Sequence, residues 1–114
     1  MKIEASRNIP KNPVEIDDAE GVEIQWLISR DDGAENFAMR MFALQPGGHT
    51  PLHTHPHEHE VFVVEGEGIC VCEGREYRIE REHVAFVPGG AEHRFKNTGS
   101  SVLRFLCLIP MEAV

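Results

Sequence analysis

The chain has no apolar run approaching the ~20 residues of a membrane span. Its opening, MKIEASRNIPKNPVE, also lacks the apolar stretch of a secretory leader. Both absences lead to the expectation of a cytoplasmic protein. Basic side chains are scarce: 11 Lys and Arg stand against 19 Asp and Glu, a formal net charge of −8 with histidine neutral. That excess repels phosphate backbones and anionic lipid, so a small molecule is the better expected partner than nucleic acid or a membrane surface. Cysteine is sparse too. Cys70, Cys72 and Cys107 make an odd count without framework spacing, and a bridge between i, i+2 residues on one strand face would be strained. A reducing compartment follows. No second cysteine pair completes a tetrahedral site with Cys70 and Cys72, which read as small, half-buried strand residues. There is no Ser-His-Asp order, phosphate loop, dinucleotide fingerprint, internal repeat or linker. The 114 residues suffice for one core and one domain.

Helical periodicity is missing as well. What is present is a series of short strand-like runs between turn signals. VEIQWLIS (22–29) alternates, and NFAMRMFALQ (36–45) ends at Pro46-Gly47-Gly48. HEVFVVE (59–65) precedes Gly66. EGICVC (67–72) and REYRIE (75–80) flank Glu73-Gly74, a hairpin signal. HVAFV (83–87) ends at Pro88-Gly89-Gly90, HRFKN (93–97) follows, and VLRFLCLI (102–109) closes the series before Pro110. Roughly eight short, evenly spaced strands predict an all-β sandwich or closed barrel over residues 21–114. Residues 1–20, with Pro10, Pro13 and an acidic run, read as an N-terminal arm. Run 36–45 is apolar on both faces and needs cover on both. A second copy of the chain is the expected cover, giving a homodimer, and the arm is the alternative.

Four of the seven histidines lie in HTHPHEHE (53–60). His53 and His55 stand at i, i+2, which on a strand aims both imidazoles at one face. His59 shares their parity across Pro56. His93 follows the distant Pro-Gly-Gly, where a second strand would close a rigid site. Neutral imidazoles suit manganese, iron, cobalt, nickel, copper or zinc.

Gly47-x5-His53-x-His55-x3-His59-x6-Gly66 resembles the first motif of the cupin superfamily, and Pro88-x-Gly90-x2-His93-x3-Asn97 resembles the second. The resemblance runs from about residue 36 to 110 and is closest to small single-domain bacterial cupins with four histidine ligands. It implies a double-stranded β-helix, or jelly-roll, fold, a dimer, and one divalent metal per subunit on His53, His55, His59 and His93. Manganese or iron is preferred, with nickel, copper, cobalt and zinc also suited. Many cupins place a glutamate ligand after the histidine pair. The spacing to Gly66 puts His59 in that position, with Glu60 as the alternative. Glu60 then has a supporting role, orienting a ligand histidine through its second nitrogen. Glu82 stands where the family often has glycine, which suggests a different turn. His57 is read as a bystander at the pocket mouth, and His49 and His83 as surface residues.

Parity supplies a pocket lining. If Arg104 and Arg40 face water, then Phe105 and Cys107, and Phe37, Met39 and Met41, face inward. Cys107 lines the cavity or is inert core, and no carboxylate is an evident general base. An apolar pocket around an ion with open positions predicts an enzyme of dioxygenase type, an oxidoreductase, as the resemblance also allows. A non-redox isomerase or lyase and a non-catalytic binding protein are the competing expectations.

Overall fold

The computed structural model describes residues 1–114. Strands β1 (Asn12–Pro13), β2 (Glu20–Ile28), β3 (Phe37–His49), β4 (His59–Glu65), β5 (Glu67–Cys72), β6 (Arg75–Glu80), β7 (Val84–Val87), β8 (His93–Lys96) and β9 (Leu103–Pro110) form one curled antiparallel sheet. Its order is β6-β5-β8-β3-β9-β4-β7, with β2 on β3 and β1 on β2. The only helical pieces are three single turns of 3₁₀ helix, and no helix is long and apolar enough to cross a membrane.

Alternation builds the core. In β9 the residues Leu103, Phe105, Cys107 and Ile109 are buried while their neighbours are half-buried, the period of two that a strand with one inner face must show. Phe105, Leu44, Leu103, Val63 and Val87 are the most enclosed large side chains. Phe105 packs against Phe95 and Phe42, at ring-centroid distances of 4.7 and 5.5 Å. Glu73 and Gly74 both adopt positive φ, 51° and 76°, the conformation that joins β5 to β6 in a two-residue hairpin.

One local expectation is corrected. Pro46-Gly47-Gly48 does not end its strand: β3 continues to His49, and opposite β2 the register jumps from Val22↔Leu44 to Glu20↔His49. The bulge turns one strand through a corner. Before it β3 pairs with β9, and after it His49 pairs with Lys96 of β8. Glu82, in the turn before β7, holds a backbone conformation that glycine favours. It takes φ 69°, the left-handed geometry that glycine adopts freely, while its N–H donates to the Val63 carbonyl at 2.9 Å. The arm runs along β2. Gln25, buried in β2, donates to the Ser6 and Ile9 carbonyls at 2.7 and 2.9 Å, and Lys2 donates to the Leu27 carbonyl at 2.9 Å.

Candidate metal centre

Two backbone devices bring the histidines together. His53 forms an isolated antiparallel bridge with His93, through His53 N–H to the His93 carbonyl at 3.2 Å and the reverse bond at 3.1 Å. Gly90 N–H donates to the His55 carbonyl at 2.8 Å, which ties the 53–58 loop to the turn before β8. Gly89 sits against the same loop so closely that a Cβ there would collide with the Pro56 carbonyl. The Pro-Gly-Gly signal thus has a concrete use: it lets two backbones touch beneath the site.

The donor atoms of His53, His55 and His93 lie within 4.8 Å of one another, and so do those of His55, His57 and His59. His55 belongs to both groups. The rings of His59 and His93 are 5.0 Å apart. Three rings have their Nδ1 at a main-chain carbonyl: His53 at Pro51 (2.7 Å), His55 at His57 (3.1 Å) and His93 at Ala91 (2.8 Å). A carbonyl only accepts, so each of these Nδ1 atoms carries the proton and each Nε2 keeps its lone pair. A cluster of neutral imidazoles with free Nε2 lone pairs is a donor set that fits a divalent transition metal.

His59 is held differently. Its Nδ1 meets Cys107 Sγ at 3.1 Å and Arg40 Nη2 at 3.4 Å, and its Nε2 meets His55 Nε2 at 2.7 Å. Arg40 Nη2 also donates to Cys107 Sγ at 3.1 Å. One set of donors satisfies this chain of contacts. Arg40 donates to the sulfur, the thiol to His59 Nδ1, His59 Nε2–H to His55 Nε2, and His55 Nδ1–H to the His57 carbonyl. Burial pushes the Cys107 thiol up, which keeps the proton this arrangement needs. To bind a metal ion through Nε2, His59 would have to carry its proton on Nδ1, where Cys107 Sγ would accept it.

Desolvation is also the main cause that drives His55 down to about 4 and His59 to about 2. The charge of His57 adds to the first shift and that of Arg40 to the second. Both rings are therefore neutral in the fold, whereas an unfolded imidazole takes its proton near 6.5. Between pH 6.5 and 4 the unfolded chain binds more protons, so stability present above 6.5 is lost as pH falls. Metal-free protein is expected to show a midpoint temperature falling through that window, less steeply in His55→Asn. A midpoint flat with pH, or a slope identical in the variant, contradicts this.

Above the histidines opens a cavity of about 540 Å³, walled by Val14, Val22, Ile24, Phe42, Phe95 and Phe105 with His53, His59, His93, Arg40 and Cys107. Phe105 and Cys107 thus lie where β9 parity puts them. The expected lining from β3 is inverted. Phe37 is 63% exposed on the outer surface, and Met39 and Met41 face the arm side. Arg40 and Phe42 face the cavity instead. Cross-strand register explains the inversion: Arg40 pairs directly with Cys107, and directly opposed residues share a face, so an inward Cys107 requires an inward Arg40. Arg40 is the cavity-lining residue that parity missed, and its pairing with β9 is the signal that finds it. Glu60 is corrected likewise. It follows His59 in β4, so it points outward beside Phe37 and Leu108, away from every ligand nitrogen. His57 stands nearer than a bystander, its ring stacked on His55 at 3.8 Å. His49 is half-buried against Arg94, whose Nη2 lies 3.2 Å from its Nδ1, while His83 is exposed.

Known proteins resemble this chain in sequence and in fold. The cupin domain profile (Cupin_2) matches residues 40–109. An oxalate-binding protein of Thermotoga maritima is 35% identical over 92 residues, 77% of this chain and 74% of its own length. The 1-methylthio-D-xylulose 5-phosphate methylsulfurylase of Rhodospirillum rubrum is 30% identical over 65% of this chain and 47% of its own. The structure of the polyketide cyclase RemF from Streptomyces resistomycificus superposes with a TM-score of 0.92 at 31% identity, covering 97% of this chain and 80% of that one.

Proposed function

This chain belongs to the cupin domain family, and from that premise we propose that His53, His55, His59 and His93 hold one divalent transition metal in an enzyme acting on an oxygen-bearing small molecule. The observation that carries the reading is the convergence of carbonyl-pinned imidazoles at the base of a largely apolar cavity. An ion held by neutral ligands keeps its full charge and polarises a carbonyl or enolate oxygen. Phe42, Phe95 and Phe105 enclose the space beside it and keep bulk water from the reacting group. Relatives that bind oxalate or cyclise polyketides handle molecules of that oxygen-rich kind.

Two chemistries fit. Dioxygenase-type turnover needs an ion that changes oxidation state. A ligand set without carboxylate, with the Arg40 cation beside it, disfavours the more highly charged state, so non-redox isomerase or lyase chemistry is the better supported. Protein loaded with zinc or manganese and offered enolisable aromatic ketones and diketones tests both. Turnover with zinc under anaerobic conditions supports the non-redox reading, and turnover only with oxygen consumption restores the dioxygenase. Tight, reversible binding without product in any arm removes the enzyme reading in favour of a binding cupin.

The homodimer belongs to the same proposal. The outer face of β4, β7 and β3 exposes Phe62 (42%), Val84 (76%), Phe86 (59%) and Phe37 (63%), and Phe62 pairs across strands with Val84. Exposed apolar side chains on one sheet face, with Glu60 among them opposite Phe86, suit a second copy. Phe86→Asp is expected to halve the mass seen in sedimentation equilibrium while metal content stays the same. An unchanged mass, or a monomeric parent protein, overturns the interface.

A further inference from the structure

Arg40 is a half-buried cation with no anion. None of the ion pairs in the fold involves it. Its Nε is buried without a hydrogen-bond partner, and its Nη2 meets only the weak acceptors Cys107 Sγ and His59 Nδ1. Leaving a guanidinium so poorly satisfied is costly, and such groups are ordinarily met by a carboxylate or phosphate. The side chain is nevertheless held in place. Its Cζ lies 5.0 Å from the Phe42 ring centroid and 5.7 Å from that of Trp26, so two aromatic rings steady the guanidinium. Its charge is felt across the site, since it helps keep His57 and His59 unprotonated. The chain carries a net charge of −8, and Arg40 is the one Lys or Arg side chain on the cavity wall. Asp17 is the one carboxylate on that wall, and it disfavours a second negative charge on whatever enters.

We infer that Arg40 is an anion-recognition residue, and that the cavity takes small organic monoanions, a carboxylate set against Arg40 and an apolar body against Phe42, Phe95 and Phe105. The inference deepens the proposed function by naming the substrate class, and it rests on that cavity being the reactive one. An anion at Arg40 is placed beside His59, at the edge of the metal centre. The one group both acts as orientation handle and relieves the unpaired guanidinium.

Calorimetric titration of 3-phenylpropanoate and of its neutral amide, 3-phenylpropanamide, into metal-free and metal-loaded protein tests this. The carboxylate is expected to bind both forms at least tenfold more tightly than the amide. Arg40→Gln is expected to remove that preference in the metal-free protein, and Arg40→Lys to keep part of it, with circular dichroism unchanged. Equal affinity for acid and amide in the parent protein overturns the inference without any variant. So does failure of both probes to bind. Carboxylate binding seen only in metal-loaded protein and insensitive to Arg40→Gln also overturns it, because the anion then sits on the metal and the proposed function stands without it. Loss of metal binding with carboxylate selectivity intact in the metal-free protein separates the opposite case.

Discussion

His93→Ala is expected to abolish stoichiometric binding of a divalent metal, lowering affinity by more than the 10–100-fold that loss of an outer hydrogen bond causes. His53→Ala and His55→Ala should match it, because the three rings form one compact group whose Nε2 lone pairs are aimed by carbonyls. His59→Ala should lose as much or less, since its aim rests on Cys107 and Arg40 and in the metal-free chain its Nε2 faces His55. Glu60→Ala should bind as the parent does, because its carboxylate lies on the outer surface. Metal content after gel filtration and a competition titration against a chelator read all five proteins. Full occupancy in His93→Ala, or loss in Glu60→Ala, sinks this assignment.

Gly89→Ala should weaken the metal centre without touching a ligand. The added methyl group would strike the Pro56 carbonyl, a backbone atom that cannot rotate aside, so the 53–58 loop must move and take His55 and His57 with it. The expected costs are about 1–3 kcal/mol of stability and roughly tenfold or more in metal affinity. Gly74→Ala is the matched comparison. It forces a side chain to φ 76° in the β5–β6 hairpin but meets no atom within 4 Å, so it should cost about 1–2 kcal/mol of stability and no metal affinity. Equal metal affinity in both variants would show that the close backbone approach does not hold the site.

Much of this histidine cluster can be read from spacing because its members sit at strand starts and bridges. His59 opens β4, His93 opens β8, and His53 is bridged to His93, so parity and the two Pro/Gly signals locate them. Arg40 could not be placed in that way. β3 has large apolar residues on both faces, and parity along such a strand says which residues travel together but not which set goes inside. That choice is made by the pairing of Arg40 with Cys107, sixty-seven positions away. Pro46-Gly47-Gly48 was legible as an interruption, but a bulge and a strand end share the same residues. What separates them is whether β8 is waiting on the far side. At Glu82, where the family often has glycine, the backbone takes φ 69° with a side chain present, which residue type alone does not reveal.

Three of the four imidazoles are aimed by main-chain carbonyls at Pro51, His57 and Ala91. A carbonyl is present whatever side chain its residue bears, so no single codon change deletes these supports. The cavity wall has no such protection and can drift. A lineage built on this scaffold could therefore change what its cavity accepts while the aim of these three imidazoles is inherited intact. Only the Cys107–Arg40–His59 corner ties the two together, and there a change of diet would also retune the ion.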